Sequence, residues 1–192
     1  RNYIAINGQF DLVKQLLEWG ADPNLTSDAG GTPLYAVLNM EWAPKSRHPQ
    51  PVDYMQQQVG YLELMQILLE AGVDPNVRLK KNLWYTTYAR DLLGVDRTGA
   101  TPFWRAALAQ DLDAMKALVR FGADPNMPTT LPEPGLREGR QNDGRLQEDS
   151  GLPMLPEGTP NMYVIHAAAG GGYMGLGAFQ QNNVPNNFLS AV

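Results

Sequence analysis

The chain of 192 residues contains no cysteine, which excludes disulfide bonds and thiolate metal sites. It has only two histidines, His48 and His166, and neither lies in a group of residues with the spacing of zinc ligands. No apolar run approaches the roughly 20 residues that a helix needs to cross a bilayer. A formal net charge of -5 argues against binding to nucleic acid, whose backbone requires a basic surface. What the chain does have is 43% hydrophobic residues, which is enough for a packed core.

Motifs for catalysis or cofactor binding are also lacking. No phosphate-binding GxxxxGK loop occurs in the chain. Gly170, Gly172 and Gly175 fit the pattern G-x-G-x-x-G, but a dinucleotide site needs a strand before that pattern, and an alanine-rich helix is predicted there. The acidic stretch at 142–151 lacks the alternating ligand spacing of a calcium loop. The sequence therefore predicts no enzymatic activity, no cofactor, no bound metal and no small-molecule substrate.

One five-residue stretch occurs three times: GADPN at 20–24, GVDPN at 72–76 and GADPN at 122–126. Each copy follows apolar residues spaced three and four apart, which is the period of one helix face. The glycine can adopt the left-handed conformation that commonly ends a helix, and the proline prevents the helix from resuming. The sequence therefore predicts three helices with apolar stripes formed by Leu12, Val13, Leu16 and Leu17, by Leu64, Met65, Leu68 and Leu69, and by Leu112, Met115, Leu118 and Val119.

A second repeated signal, Thr-Pro, lies at the start of two further predicted helices. It begins TPLYAVL at 32–38 and TPFWRAAL at 101–108. Thr32 and Thr101 are suited to cap a helix, and the prolines after them fit the first turn, where a missing N–H costs little. Alanines in these segments allow neighbouring helices to approach closely. The predicted unit is a turn, a Thr-Pro cap, a thin inner helix, a leucine-rich outer helix and a glycine.

This order of signals resembles the ankyrin repeat. The stretch 101–126 is close to a full unit, with Gln110 where the family usually has glycine, and 5–24 matches the latter half of a unit. VIHAAA at 164–169 looks like the inner helix of a further unit, and the resemblance implies that His166 hydrogen-bonds the backbone of an adjacent turn. The implied fold is an all-α solenoid of stacked helical hairpins with large loop insertions. It forms a single array over 1–192, with units at about 1–26, 27–76, 77–126 and 127–192, of which the first and last are partial.

The spacing of the repeated glycines indicates the insertions. Gly20 and Gly72 are 52 residues apart, and Gly72 and Gly122 are 50 apart, against about 33 for a plain repeat. We expect the additional residues to leave the stack as loops at 41–57, 77–98 and 127–158, with Trp42 anchoring the first. This plan is similar to that of a group of insertion-bearing bacterial ankyrin proteins, many of which carry export signals. The resemblance therefore favours the periplasm or the cell exterior, and a cytoplasmic location stays open.

The resemblance also implies where a partner binds, because in ankyrin stacks the finger loops and the inner helices form a concave binding face. The enlarged second finger, 77–99, combines basic and aromatic residues, which is the composition of interface hot spots. Alternatively, its rings fold back and hold the insertion against the stack, and the inner-helix residues pack in the core. The candidate partner-binding residues are Tyr35, Arg78, Lys80, Lys81, Trp84, Tyr85, Tyr88, Arg90, Trp104 and Arg105.

We therefore expect a non-enzymatic scaffold for protein–protein interaction. One alternative is a structural subunit of a larger cell-envelope or filamentous assembly, in which copies of the chain contact each other head to tail. Another is an accessory domain of a longer enzyme. Because the chain starts at Arg1 inside an inner helix and stops at Val192 without the polar caps that repeat stacks need, we expect further repeats on both sides or other chains that cover the ends.

Overall fold

The regular structure is helical. The computed structural model describes residues 3–42, 53–82, 97–130 and 162–169. Within these ranges no strand occurs, as the sequence predicts for an all-α protein. The elements of these ranges, in chain order, are α1 (Tyr3–Ile6), α2 (Phe10–Glu18), α3 (Pro33–Glu41), a 3-10 helix (Asp53–Gln56), α4 (Tyr61–Glu70), α5 (Pro102–Leu108), α6 (Leu112–Arg120) and α7 (Val164–Ala168).

Side-chain caps explain where several of the helices start. Thr32 Oγ1 accepts the N–H of Tyr35 at 3.1 Å, and Thr101 Oγ1 accepts that of Trp104 at 3.2 Å. A proline occupies the first turn of both helices, α3 and α5. The carboxylate of Asp111 caps α6 by accepting a backbone N–H of its first turn at 3.0 Å. Both predicted threonine caps are confirmed, and each satisfies a backbone donor that the helix itself leaves unpaired.

The outer helices end as the repeated glycines predict. Gly20, Gly72 and Gly122 have φ angles of +84°, +88° and +87°, the left-handed conformation that glycine adopts without steric cost. Each glycine N–H donates to the carbonyl three residues back at 2.9–3.0 Å, and the following N–H donates to the carbonyl five residues back at 2.9–3.2 Å. A side chain at any of the three would point into open space, so the backbone angle alone demands glycine.

The hairpins stack in two layers. The inner helices α1, α3, α5 and α7 contact one another in that order, and the outer helices α2, α4 and α6 do the same. The pairs α1 and α2, α3 and α4, and α5 and α6 form the first, second and third hairpins. The core lies between the two layers, and in the second hairpin the whole predicted stripe is buried, namely Leu64, Met65, Leu68 and Leu69.

The predicted apolar stripes of the first and third hairpins are only partly buried. Leu12 and Leu16 in α2 are half-buried. In α6, Leu118 is buried but Val119 is 51% exposed. Leu69, which holds the same place in α4, is 4% exposed because the third hairpin packs beside the second. In the described ranges no outer helix follows α6, so no neighbouring helix covers Val119. Its exposure therefore differs from the burial that the predicted stripe implied.

The Asp-Pro-Asn turns hydrogen-bond to one another along the stack. Within each turn the aspartate carboxylate accepts the N–H of the asparagine two residues on, at 2.8–2.9 Å. Between turns, Asn76 Oδ1 accepts the N–H of Asp124 at 2.8 Å, and Asn76 Nδ2 donates to the carbonyl of Gly122 at 2.9 Å. Asn24 accepts the N–H of Asp74 at a longer 3.4 Å. These bonds explain the repetition of the stretch, because the asparagine of one turn is the partner of the next turn's backbone.

Gln110 lies in the tight turn between α5 and α6 with a φ of +56°. Gly8 holds the same place in the first hairpin, with a φ of +74°. The glycine that the family usually has at this position fits this angle, and glutamine is strained there. The Gln110 side chain is buried, and its Nε2 donates to the carbonyl of Ala168, the last residue of α7, at 3.2 Å. The glutamine therefore gives up a relaxed turn and gains a contact with the next inner helix.

The predicted insertions begin and end near elements of the stack. The first, 41–57, overlaps the loop between α3 and α4, which runs from Trp42 to Gly60 because α3 continues to Glu41. The second and third, 77–98 and 127–158, start within described residues of the fingers. Residues 83–96 and 131–161, which form most of them, lie outside the described ranges.

Candidate interaction surface

The fingers, which are the segments between an outer helix and the next inner helix, hydrogen-bond to one another along one edge of the stack. The first finger joins the second through the N–H of Lys80, which donates to the carbonyl of Ala29 at 2.9 Å. The second joins the third through the N–H of Thr130, which donates to the carbonyl of Thr98 at 2.9 Å. The described fingers therefore form one continuous edge.

The two finger insertions leave this edge from closed bases. In the second finger, Asn82 Oδ1 accepts both the N–H and the Nε of Arg97, at 3.3 and 2.9 Å. In the third, the N–H of Thr129 donates to the carbonyl of Met162 at 3.1 Å, and the N–H of Met162 donates to Thr129 Oγ1 at 3.0 Å. These bonds hold the two ends of each insertion together. Since the second and third fingers are bonded to each other, the two insertions start side by side.

The basic candidates of the second finger differ in how far they are exposed to solvent. Arg78 is half-buried, and its Nη1 donates to the carbonyls of Gly99 at 3.2 Å and Pro128 at 2.6 Å, which links the second and third fingers. Lys81 is half-buried and Lys80 is exposed. Lys80 is thus the basic candidate that the described finger presents most fully to solvent.

The aromatic candidates of the second finger lie outside the described residues. Their role in binding a partner stays a prediction, and so does the alternative that they hold the insertion against the stack. The same applies to Arg90. The aromatic candidates that lie outside the described residues are Trp84, Tyr85 and Tyr88.

The inner-helix candidates are buried. Tyr35, Trp104 and Arg105 are at most 1% exposed. The indole Nε1 of Trp104 donates to the carbonyl of Met162 at 3.0 Å, so the ring both fills the core and hydrogen-bonds the backbone before α7. For these three residues the structure agrees with the alternative of core packing, and they offer a partner no surface.

The helix that carries two of them is covered on every side. All seven residues of α5 are buried. Consecutive residues of an α-helix point 100° apart, so seven of them sample every direction around the axis. A partner therefore cannot reach the side chains of α5 in this conformation. Of the predicted concave face, the finger edge stays accessible in the described structure, together with Ile165 and His166 on the last inner helix, α7.

A polar network that sequence analysis missed surrounds Arg105. Its Nε donates to Asn39 Oδ1 at 3.0 Å, and its Nη2 donates to the carbonyl of Trp42 at 2.7 Å. The indole Nε1 of Trp42 donates to Asp111 Oδ2 at 2.7 Å. Burial, together with the charge of the neighbouring Asp111 carboxylate, raises the pKa of Tyr61 far above its ordinary value. The prediction that Trp42 anchors the insertion is confirmed, and Arg105 contributes to that anchor instead of to a binding face.

A second polar contact joins the end of the same loop to α2. Asp11 Oδ1 accepts the N–H groups of Val59 at 2.8 Å and Gln58 at 3.1 Å. These bonds from Gln58 and Val59 lower the pKa of Asp11 below its ordinary value. A groove of about 730 Å³ lies beside this contact, between α2 and the segment Gln56–Val59. Glutamine amides form much of its lining, namely those of Gln9, Gln15, Gln56, Gln57 and Gln58.

Other candidate sites are not formed by the described residues. His166 is exposed, and its Nδ1 accepts the N–H of Tyr163 at 3.3 Å, so it caps its own helix. In the ranges given above, no group of three or more His, Asp or Glu side chains is placed to hold a metal ion. No helix in those ranges has the length and apolar character needed to span a membrane.

Comparison with known proteins agrees with the architecture. The family model described as "Ankyrin repeat" matches residues 3–28 and 98–130, which cover the first hairpin and the third. The chain therefore contains ankyrin repeats in these two ranges. The second hairpin, outside both matched ranges, is the one interrupted by the loop from Trp42 to Gly60.

Among solved structures, the chain is similar to the crystal structure of the human ASB11 ankyrin repeat domain, with 18% sequence identity and a TM-score of 0.42. The similarity covers 65% of this chain and 40% of that one, so the aligned part spans less than half of the human domain. None of the curated proteins compared with the chain matches it.

Proposed function

We propose that this ankyrin repeat protein is a non-enzymatic scaffold that binds a protein partner at its finger edge. Ankyrin repeats generally mediate protein–protein interaction, and the fold is typically a non-enzymatic module. The observation that carries the proposal is the bond between the bases of the two finger insertions, from the N–H of Thr130 to the carbonyl of Thr98 at 2.9 Å. Because this bond joins the residues from which both insertions start, it supports a binding surface at which a single partner contacts both.

The burial of α5 supports this location. Because all residues of α5 are covered, a partner that binds beside this helix contacts the edge of the fingers instead of the helix itself. Lys80 is exposed on that edge. The second insertion of the array adds Trp84, Tyr85 and Arg90, residue types that supply most of the binding energy in protein interfaces.

The chemistry of the second finger also indicates the type of partner. The chain as a whole is acidic, with a formal net charge of -5, whereas residues 77–90 carry four basic residues and no acidic one. A partner with exposed carboxylates next to an apolar pocket complements this composition. The charges then favour the approach of the partner, and the aromatic rings provide buried contact area.

The proposal is tested with the intact chain and a protein that copurifies with it. Replacing Trp84 and Tyr85 by alanine together is expected to weaken the affinity at least tenfold, since each anchor of this type contributes more than about 1 kcal/mol. The matched control is Trp19→Ala, because Trp19 is 70% exposed at the end of α2 and belongs to neither of the two fingers that carry the insertions. Equal affinities of the double variant and the wild type, with unchanged thermal midpoints, contradict the proposal.

A second candidate function is that of a structural subunit that assembles with copies of itself. The observation in its favour is the exposure of large apolar side chains in different hairpins of the stack and in α7: Trp19 at 70%, Ile165 at 55% and Val119 at 51%. Sedimentation analysis over a range of concentrations distinguishes the two functions, because assembly raises the mean mass with concentration and the scaffold function does not. Export to the periplasm or cell exterior is likewise proposed, and fractionation of cells that produce the natural full-length protein tests it.

A further inference from the structure

The loop between α3 and α4 belongs to the second hairpin, but its start is bound to the third. The carbonyl of Trp42 accepts Nη2 of Arg105 at 2.7 Å, and the Trp42 indole donates to Asp111 Oδ2 at 2.7 Å. Arg105 and Asp111 are buried and lie on the two sides of the turn between α5 and α6. The Trp42 ring also meets Tyr61 of α4 edge-on, with ring centroids 6.2 Å apart. Trp42 is therefore held on both sides, by its own hairpin and by the next one.

The end of the same loop is bound to the first hairpin. Asp11 near the start of α2 accepts the N–H of Val59 at 2.8 Å and that of Gln58 at 3.0 and 3.1 Å. The contact is reciprocal, because Gln57 Oε1 accepts the N–H of Asp11 at 3.1 Å. Gln9, the residue before α2, makes no side-chain cap, so the loop supplies the cap that α2 lacks.

We infer that the loop from Trp42 to Gly60, bound at one end to the third hairpin and at the other to the first, fixes the angles between the three hairpins and thereby sets the curvature of the stack. The inference depends on the two ends of the loop and on no residue between 43 and 52. It is independent of the proposed function, although the same angles also set the spacing of the fingers.

The contacts between hairpins differ in how strongly they depend on direction. In a repeat stack each unit contacts only its neighbours, and curvature results from a small rotation per unit. Apolar contacts between helices are not directional, so they permit small rotations at little cost. Hydrogen bonds weaken steeply when they are misaligned, so bonds at both ends of one loop resist rotation on both sides of the second hairpin. Hydrogen bonds between the fingers and between the Asp-Pro-Asn turns also join the hairpins, but they lie where the outer helices end, whereas the loop is bound where the inner helices end. An exposed ion pair, Lys14 with Glu63 at 3.5 Å, also joins the first two hairpins, but such pairs contribute little.

The inference is tested by measuring the distance between spin labels on the first and third hairpins of the full chain. The chain has no cysteine, so two introduced cysteines are its only labelling sites. Glu18→Cys in α2 and Lys116→Cys in α6 suit this purpose because both residues are exposed. For the otherwise unchanged protein, double electron–electron resonance is expected to show one narrow distance peak.

Two variants weaken the attachment of the loop, one at each end, and the bond from Arg105 to the carbonyl of residue 42 remains in both. Trp42→Phe keeps a ring against Tyr61 but removes the indole donor, and Asp11→Ala removes the acceptor of Gln58 and Val59. Each is expected to replace the narrow peak by a broader or shifted distribution, and the double variant is expected to do so most. The control is Lys14→Ala, which removes the exposed ion pair and leaves the loop bound; its peak is expected to stay narrow.

Circular dichroism of each labelled variant establishes that the helices are retained. If Asp11→Ala loses helix content, the distance distribution of Trp42→Phe alone tests the inference. If both variants lose helix content, Asp11→Asn is measured in their place. An unchanged narrow peak in the helical variants overturns the inference. Equal broadening in Lys14→Ala also overturns it, because the loop would then have no particular role among the contacts between hairpins.

Discussion

Thr130 donates its N–H to the carbonyl of Thr98 at 2.9 Å, and this one bond joins two neighbouring fingers. Thr98 is the last residue of the predicted insertion 77–98, and Thr130 lies near the start of the predicted insertion 127–158. The second and third finger insertions, which belong to different repeats, therefore begin next to each other on the surface. The stack acts as a support that brings them together, which is the basis of the proposed function.

The third hairpin offers a matched pair of substitutions that test how the stack is packed. Leu118 is fully buried and Val119 is 51% exposed, although they are adjacent in α6. Leu118→Ala is expected to lower the free energy of unfolding by about 2–5 kcal/mol, because it leaves a cavity. Val119→Ala is expected to change it by less than about 1 kcal/mol. Urea denaturation measures both, and similar losses for the two variants show that the orientation of α6 is misassigned.

The left-handed backbone angle of Gln110 predicts an unusual order of stability for two substitutions at this position. Both Gln110→Ala and Gln110→Gly lose the hydrogen bond to the carbonyl of Ala168. Only alanine keeps the steric strain of the left-handed backbone, at a φ of +56°. The glycine variant is therefore expected to be the more stable of the two by about 1 kcal/mol, opposite to the usual preference for alanine. Thermal melts of the two variants decide this, and a more stable alanine variant shows that the turn relaxes.

The asparagines of the repeated turns are expected to differ in importance. Asn76 makes two hydrogen bonds to the next turn, at 2.8 and 2.9 Å, whereas Asn24 makes one at 3.4 Å. At about 0.5–1.5 kcal/mol for each bond, Asn76→Ala is expected to lower the free energy of unfolding by about 1–3 kcal/mol. Asn24→Ala is expected to lower it by less than about 1 kcal/mol. Chemical denaturation compares them, and an equal effect of both contradicts the role given to the bonds between turns.

The bond between Asp11 and the loop predicts a dependence on pH. Because the folded state lowers the pKa of Asp11 below its ordinary value of 3.8, the ionised carboxylate stabilises the fold above that value. This stabilisation is lost as the pH falls through the lowered pKa. Asp11→Asn is therefore expected to be less stable than the wild type at neutral pH, and the difference is expected to shrink in acid. Denaturation at several pH values measures this, and a constant difference contradicts the assignment.

Features that depend on neighbours in sequence could be predicted from the sequence. The glycine ends of the outer helices and the caps of Thr32 and Thr101 follow from a few adjacent residues, because the backbone angle and the cap are local properties. The burial of Trp104 and Arg105 could not be predicted in this way. Whether an inner-helix side chain faces a partner or the core depends on what lies across from it, and Arg105 is bound by residues more than 60 positions away. The bond between Asp11 and Val59 spans 48 positions, and no local signal indicates it.

The most direct test of the central claim is amide hydrogen exchange of the intact chain, alone and with its copurified partner. Binding at the finger edge is expected to slow exchange in residues 77–101, which belong to the second finger and include its insertion, and in residues 127–130 at the start of the third finger. Exchange in the outer helices α2, α4 and α6 is expected to stay the same. Protection confined to those outer helices, with unchanged exchange in the fingers, contradicts the account.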